Sequence, residues 1–203
     1  MEEGLLIIIS APSGVGKTTL IRRLLEHDKR FVFAVSHTTR PMREGEKDGV
    51  DYYFISDAEF DSMVSAGEFA EWAWVHGHRY GTSLKEIRRI QRSGLDCIFE
   101  VDFQGGRALM RLFPEAISIF ILPPSMKELK TRLLKRRKDM EEDIALRLRN
   151  ARLEIATAFE YRYCIVNDVI DKAFEELLCI IKAERHKSKR FSSLVRELCK
   201  EEV

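Results

Sequence analysis

Short apolar runs alternate with helical patterns along most of this chain. Five runs predict buried β-strands: Leu5–Ser10, Phe31–Ser36, Asp96–Val101, Ile117–Leu122 and Cys164–Asn167. Between them, apolar residues recur at helical spacing and predict helices over Thr18–Glu26, Leu84–Arg92, Gly106–Leu112, Met126–Leu134, Glu142–Thr157 and Lys172–Lys182. Strands that alternate with helices are typical of a parallel sheet covered by helices. We therefore predict an α/β fold with a three-layer α/β/α core.

One segment, Thr38–Thr82, interrupts this alternation. It contains prolines and glycines typical of turns, then the aromatic strand Tyr52–Phe54 and the mainly apolar run Phe69–Trp74. We predict a small subdomain here, inserted between elements of the core.

A second interruption is the charge-dense stretch Lys135–Asp139, followed by a helix that carries Arg147. One interpretation is a mobile lid. The other is a solvated helix face, which is what charge runs usually are. Further on, the tail His186–Val203 has apolar residues at helical spacing and predicts an amphipathic helix that packs on the core or on a partner.

Composition and charge exclude several classes of protein. With 203 residues, 45% of them hydrophobic, the chain can bury one compact core. A net charge of +1 gives no global field for a nucleic-acid polymer or a membrane surface, and no apolar run reaches the roughly 20 residues of a membrane span. The four scattered cysteines and the acidic N-terminus without a basic segment favour a cytoplasmic protein. Histidine and cysteine form no cluster with metal-ligand spacing.

The strongest chemical signal directly follows the first predicted strand. There, Ser13-Gly14-Val15-Gly16-Lys17-Thr18 joins a buried strand to a helix, which is the context of a phosphate-binding loop (P-loop). Glycines let backbone N–H groups turn around an anion, and the helix N-terminus adds partial positive charge. Lys17 is expected to reach the terminal phosphates and the Thr18 hydroxyl to bind Mg²⁺. The loop departs from the common pattern at Ala11, where glycine is usual.

Arg40 and Arg43 lie three residues apart in a segment stiffened by Pro41. Arginines so spaced can bind one phosphate bidentately, although arginines in loops are common. In a protein that already binds a triphosphate, a second anion site suggests that the acceptor is itself phosphorylated.

Glu71 is a carboxylate within an otherwise apolar run. A buried carboxylate needs partners, and guanine offers adjacent N1–H and N2–H₂ donors, whereas adenine presents an acceptor at N1. Taken alone, a structural salt bridge explains Glu71 better than base recognition does. A second carboxylate, Asp102, follows a core strand in Asp102-Phe-Gln-Gly105, where Mg²⁺ or substrate is often held. This D-x-x-G is also a GTPase mark, but no N-K-x-D motif follows.

Together these motifs resemble the guanylate kinase family over roughly Leu5–Arg185. The most specific matching segments are Ala11–Thr18, Ser36–Arg43, Gly49–Phe54, Glu71–Trp72, Tyr80–Thr82, Asp102–Gly105 and Ile165–Asp168. The resemblance implies reversible transfer of a phosphoryl group from Mg-ATP to GMP, giving ADP and GDP, in purine nucleotide metabolism and GMP recycling. It also implies a P-loop core (1–35, 83–130 and 158–203), a mixed α/β GMP-binding subdomain (36–82) and a helical lid (131–157).

The resemblance also implies roles for individual residues. The residues that would hold the GMP phosphate are Arg40, Arg43, Tyr52 and Tyr80. Those that would read or support the guanine are Ser36, Glu71, Thr82 and Asp102. The ATP-binding residues would be Ala11, Pro12, Ser13, Gly14, Val15, Gly16, Lys17, Thr18, Thr19 and Asn167, the last of which would lie by the adenine. Lys17, Arg136 and Arg147 would act on the transferring phosphate, and Thr18 would lie near Mg²⁺.

The chain departs from the family pattern in the lid, at Thr82 and at Phe103, where the change is a packing variation. Family lids usually flank the lid arginine with glycines, whereas this chain has Lys135-Arg136-Arg137, which leaves open which arginine reaches the phosphate. Thr82 stands where serine is frequent. The preference between GMP and dGMP, and the choice between a monomer and a homo-oligomer, are also left open.

Three other functions compete with this one. A non-catalytic guanylate-kinase-like module would bind phosphorylated proteins, but such modules typically have an eroded phosphate loop, and here it is intact. Another P-loop kinase would use a different acceptor, which Glu71, Thr82 and Asp102 disfavour. A GTPase switch is disfavoured by the missing base-recognition motif.

Overall fold

The computed structural model describes residues 3–75, 77–135 and 141–200. The chain divides into two compact units. The first comprises Glu3–Ser10 and Leu25–Ser118, and the second comprises Ala11–Leu24 and the chain from Ile119 onward.

Strands and helices alternate through the described residues as the sequence predicts. The strands are β1 (Leu6–Ser10), β2 (Phe31–Phe33), β3 (His37–Thr38), β4 (Tyr53–Phe54), β5 (Phe69–Val75), β6 (His78–Ser83), β7 (Asp96–Val101), β8 (Ile117–Leu122) and β9 (Tyr163–Val166). The helices are α1 (Lys17–His27), α2 (Asp57–Ser65), α3 (Leu84–Arg92), α4 (Phe103–Leu112), α5 (Met126–Lys135), α6 (Glu141–Ala156), α7 (Ile170–Arg185) and α8 (Ser192–Leu198). Short 3₁₀ turns lie at Ala158–Glu160 and Ser188–Phe191.

The core strands are parallel in both units, so the α/β fold class is confirmed. In the first unit the strand order is β2-β7-β1, with Leu6 opposite Cys97 and Phe31 opposite Asp96. In the second unit β8 pairs with β9. Ile7, Ile8 and Ile9 are all fully buried, which explains why β1 is a continuous apolar run rather than an alternating one.

The interrupting segment forms a small mixed sheet with one helix. Its strand order is β4-β3-β6-β5; β3 and β4 are parallel, and the pairs β3–β6 and β5–β6 are antiparallel. Helix α2 buries Phe60, whose ring stacks on Phe69 at 4.5 Å between centroids. The Arg79 guanidinium covers the Phe60 ring at 4.7 Å. The predicted inserted α/β element is therefore present, while the exact division into core, subdomain and lid stays a prediction.

Most element boundaries lie within one residue of the sequence-based expectation, and the exceptions are β2, α4 and α7, which spans Ile170–Arg185 instead of the predicted Lys172–Lys182. The strand predicted over Phe31–Ser36 ends at Phe33, because the backbone of the next residues bonds to other groups: the Val35 N–H donates to Glu86, and the Ser36 carbonyl accepts from Tyr53. Helix α4 begins three residues before the predicted Gly106, because the Asp102 side chain accepts from the Gly105 N–H and caps it.

The tail forms less helix than its apolar spacing predicts. Only the 3₁₀ turn Ser188–Phe191 and the seven-residue helix α8 are present in its described part. Leu194, Val195 and Leu198 of α8 are each about half exposed, at 49–55%. No helix in the described ranges is both long enough and apolar enough to cross a bilayer.

Candidate active site

The phosphate loop of the second unit has the backbone that an anion-binding turn requires. Gly14 and Gly16 have positive φ values of 89° and 103°, which residues with a Cβ rarely adopt. Lys17 is the first residue of α1, and the Leu20 N–H donates to the Gly16 carbonyl at 3.2 Å. The loop therefore ends at a helix N-terminus, where backbone N–H groups and the helix dipole favour a phosphate.

The loop is tightly supported within the second unit by Asn167. The Asn167 side-chain amide donates to the Val15 carbonyl at 2.7 Å, and Asn167 is only 4% exposed. A Cβ added at Gly16 would lie 2.5 Å from the Asn167 amide nitrogen. Asn167 thus braces the loop backbone, and its expected position beside the adenine stays a prediction.

Arg132 of α5 is a second brace, which the sequence analysis did not single out. Its guanidinium donates to the carbonyls of Asn167 (2.8 Å), Asp168 (3.3 Å) and Val15 (3.4 Å), and it forms an ion pair with Glu128 at 2.9 Å. Its acceptors Val15 and Asn167 lie 117 and 35 residues away in the chain. No local sequence pattern signals such contacts, because they exist only after folding.

The expected lid residues are described only in part. Arg136 and the alternative Arg137 lie outside the described residues. Arg147 lies on α6 and is half-buried. Which arginine reaches a transferring phosphate therefore stays a prediction.

In the first unit, five of the eight expected GMP-binding residues line two adjoining clefts. The smaller has a volume of about 340 Å³ and is lined by Ser36, Tyr52, Glu71 and Thr82, among others. The larger, of about 720 Å³, includes Asp102 and shares Glu71 with the smaller. Glu71 is therefore the candidate that both clefts share.

The carboxylate of Glu71 is oriented by a chain of hydroxyl groups. Glu71 and Thr82 are directly opposite each other on β5 and β6, next to a β-bulge between Phe69 and Glu71. The Thr82 hydroxyl donates to Glu71 Oε1 at 2.6 Å, and Ser36 Oγ lies 3.3 Å from Thr82 Oγ1. Because the single Thr82 proton is used on Glu71, the Ser36 hydroxyl is the donor in the second bond.

Burial raises the pKa of Glu71. The Thr82 hydrogen bonds oppose this rise, and the nearby Asp102 charge adds to it. The Glu71 carboxylate is thus a hydrogen-bond acceptor in a partly desolvated cleft. An unpaired carboxylate is costly there, so the cleft strongly favours a ligand that carries a matching pair of donors.

The candidate phosphate-binding residues of this unit are held together around Arg40. Its guanidinium lies over the ring of Tyr52 at 5.5 Å, and the rings of Tyr52 and Tyr80 pack edge to face at 5.7 Å. Arg40 is 9% exposed. Three of the four residues expected to hold the GMP phosphate are therefore brought together, and the fourth, Arg43, follows Arg40 by three residues.

Glu46 completes this group and was missed by the sequence analysis. It accepts from both terminal nitrogens of Arg40, at 2.7 and 3.0 Å, and from the Arg43 N–H at 2.7 Å. These bonds raise the pKa of Arg40 and lower that of Glu46. The Arg40 fork thus binds Glu46, so a phosphate would meet the remaining guanidinium N–H groups rather than the whole fork. The only signal in the sequence is an acidic residue six positions after Arg40.

The comparisons with known proteins agree with the family that the motifs indicate. The family model for guanylate kinase matches residues 3–184. The chain belongs to the guanylate kinase family. A guanylate kinase of Polaromonas sp. is 49% identical over 184 residues, which cover 91% of this chain and 89% of the relative. A guanylate kinase of Coxiella burnetii is 45% identical over 202 residues, 98% of each chain.

A solved guanylate kinase also has the same fold. The crystal structure of guanylate kinase from Anaplasma phagocytophilum superimposes with a TM-score of 0.67 at 36% identity, and the match covers 93% of this chain and 90% of that one. The motif-based assignment to the guanylate kinase family is therefore confirmed.

Proposed function

We propose that this chain catalyses the reversible transfer of a phosphoryl group from ATP to GMP, giving ADP and GDP. The observation that carries this proposal is the Glu71 carboxylate, oriented by Thr82 in a cleft of about 340 Å³. That volume suits a small ligand. Family membership over residues 3–184 supports the same reaction.

GMP recognition would divide between the base and the phosphate. The carboxylate of Glu71 would accept from guanine N1–H and N2–H₂, with Ser36, Thr82 and Asp102 supporting the base. Arg40, Arg43, Tyr52 and Tyr80 would hold the phosphate. Adenine would leave Glu71 facing an acceptor, so AMP would lose both hydrogen bonds and leave a desolvated carboxylate unpaired.

ATP would bind along the loop from Ala11 to Thr19, with its phosphates on the backbone N–H groups and on Lys17. Phosphoryl transfer consists mainly of positioning and neutralisation of spread charge. The phosphate of GMP is already a nucleophile at neutral pH, so no general base is needed. Arg147, with Arg136 or Arg137, would neutralise the transferring group, and a lid that excludes water would limit wasteful ATP hydrolysis.

The residues of the loop also fit Mg²⁺. Thr18 supplies a hydroxyl oxygen in the first turn of α1, beside the positive-φ turn of Gly16, and oxygen ligands with ATP phosphates are what Mg²⁺ prefers. Mg²⁺ bound there would neutralise charge on the phosphates of ATP. We expect the protein to work in the cytoplasm on small-molecule partners, because its cysteines are free thiols, as is usual in reducing compartments.

The deciding experiment measures ADP release from Mg-ATP with GMP, AMP, CMP and UMP as parallel acceptors. We expect rapid turnover with GMP only. Lys17→Ala should lower kcat by at least about 100-fold, because one charge-stabilising group at the transition state is worth that much. Lys29→Ala is the matched control, since Lys29 is an exposed lysine outside the loop.

The other outcomes separate the competing functions. Rapid turnover with AMP, CMP or UMP would contradict guanine recognition by Glu71. ATP binding without turnover on any of these four acceptors would contradict phosphoryl transfer to GMP. A phosphopeptide-binding assay would then distinguish a non-catalytic module from a kinase with another acceptor.

A further inference from the structure

Glu86 is a buried carboxylate to which the proposed reaction assigns no role. It lies in the first turn of α3 and is 3% exposed. Its own N–H donates to the Oγ of Ser83, the residue that caps the helix. A carboxylate removed from water is retained only when its oxygens are well partnered.

Three different groups donate to the Glu86 carboxylate. Arg89 binds it bidentately, with both N···O distances at 2.8 Å. The Tyr53 hydroxyl donates at 3.2 Å and the Val35 backbone N–H at 3.4 Å. The Arg89 hydrogen bonds lower the pKa of Glu86, so the group is charged at neutral pH.

The chain positions of these donors connect Glu86 to the GMP cleft. Val35 directly precedes Ser36, and Tyr53 directly follows Tyr52; Ser36 and Tyr52 both line the cleft. The Tyr53 N–H also donates to the Ser36 carbonyl at 2.9 Å. Glu86 thus holds the Val35 backbone next to Ser36, which is expected to support the guanine. It also holds the Tyr53 side chain next to Tyr52, which is expected to hold the phosphate.

A comparison within the chain argues against simple helix capping. Glu59 occupies the same position of α2, three residues after the capping Ser56, and its carboxylate returns to the Ser56 N–H at 2.8 Å to form a capping box. The Glu86 carboxylate instead accepts from Val35 and Tyr53, which lie 51 and 33 residues away in the chain.

We propose that Glu86 is a positioning residue for the acceptor nucleotide, which sets the spacing between Ser36 and Tyr52 through Val35 and Tyr53. This inference rests on the proposed binding of GMP in the same cleft. Glu86 itself touches neither substrate nor the transferring group. Its effect is on affinity for GMP, with ATP binding in the other unit unchanged.

The test compares Glu86→Ala with Glu59→Ala, by KM for each substrate, kcat and melting temperature. We expect Glu86→Ala to raise KM for GMP about tenfold, equivalent to about 1.4 kcal/mol of binding free energy. KM for ATP and kcat at saturating GMP should stay within about twofold of wild type. Glu59→Ala should lower the melting temperature and leave KM for GMP unchanged.

Two milder variants keep the test valid if Glu86→Ala does not fold. Glu86→Gln retains acceptor capacity but not the charge for Arg89, and Tyr53→Phe removes a single hydrogen bond. Both should raise KM for GMP by less than Glu86→Ala, with KM for ATP unchanged.

The inference is overturned if the Glu86 variants lower the melting temperature, as Glu59→Ala does, without changing KM for GMP. Wild-type protein assayed in the same series separates this failure from a failure of the proposed function. If wild type phosphorylates GMP, only the role of Glu86 is at issue; if it does not, the proposed function fails first.

Discussion

At the scale of single residues, the proposed recognition of guanine depends on how the Glu71 carboxylate is oriented. The β-bulge and the pairing of β5 with β6 place Glu71 opposite Thr82, whose hydroxyl occupies one carboxylate oxygen. The carboxylate lines a partly buried cleft, where its remaining acceptor sites would meet a ligand. Threonine retains the hydroxyl that serine would supply, so the departure from the family pattern keeps the hydrogen bond.

The first prediction concerns the pH dependence of GMP affinity. Burial raises the pKa of Glu71 above its ordinary value of 4.5, and only the ionised carboxylate can accept from both guanine donors. KM for GMP should therefore rise as the pH falls from about 8 to about 5, earlier than for an ordinary glutamate, while KM for ATP should not follow.

Glu71→Gln provides the control for this titration. The glutamine oxygen can still accept, but its NH₂ group faces a guanine donor, so kcat/KM for GMP should fall about 10- to 100-fold. The acid-side rise in KM should also disappear. An unchanged pH profile in this variant would show that another group titrates.

At the scale of elements, the phosphate loop depends on one helix and one loop that follow it much later in the chain. Positive-φ glycines shape the turn, while α5 and the residues after β9 hold its Val15 carbonyl through Arg132 and Asn167. The loop motif alone therefore specifies the backbone conformation, and the rest of the second unit holds that conformation in place.

The second prediction tests this brace. Arg132→Ala should remove the guanidinium bonds to three carbonyls, lower the free energy of unfolding by about 1.5–3 kcal/mol and weaken ATP binding. Glu128→Gln removes the ion pair but keeps the carbonyl bonds, so its effect should be smaller. Calorimetric titration with ATP and thermal unfolding would measure both. Equal effects of the two variants would assign the stabilisation to the ion pair instead.

At the scale of the whole molecule, the two substrates are assigned to different units. The expected GMP-binding residues from Ser36 to Asp102 all lie in the first unit, and the expected ATP-binding residues all lie in the second. Each cluster is held by contacts within its own unit, such as Glu46 with Arg40 and Asn167 with Val15.

The third prediction follows from this division. Lys17→Ala should weaken binding of ATP and leave the affinity for GMP unchanged, whereas Glu71→Gln should do the reverse. Calorimetric titration of each variant with each nucleotide alone measures the four affinities. If either variant lost both nucleotides equally, its residue would have a structural rather than a ligand-binding role.

The fold and much of the site could be predicted where the signal is local. The apolar run of β1, the glycines of the loop and the helical spacing of α1 are contiguous, so the strand, turn and helix were correctly predicted. The early end of β2 was not predicted, because Phe31–Ser36 is apolar enough for a longer strand. Its last residues leave the sheet only because their backbone bonds to groups far away in the chain. The tail helix predicted over His186–Val203 is also shorter than expected in its described part. Apolar residues at helical spacing do not ensure that the helix has a surface on which to pack them.

The sequence by itself determined the family and the alternation of strands and helices, and it predicted the residues expected to bind phosphate and guanine, because spacing along the chain carries those signals. Only the tertiary structure decided which groups hold and orient those residues. Arg132, Glu46 and Glu86 act through partners up to 117 residues away. The physical reason is that a charged side chain acquires a defined role only when folding removes it from water and brings its partners within hydrogen-bond distance.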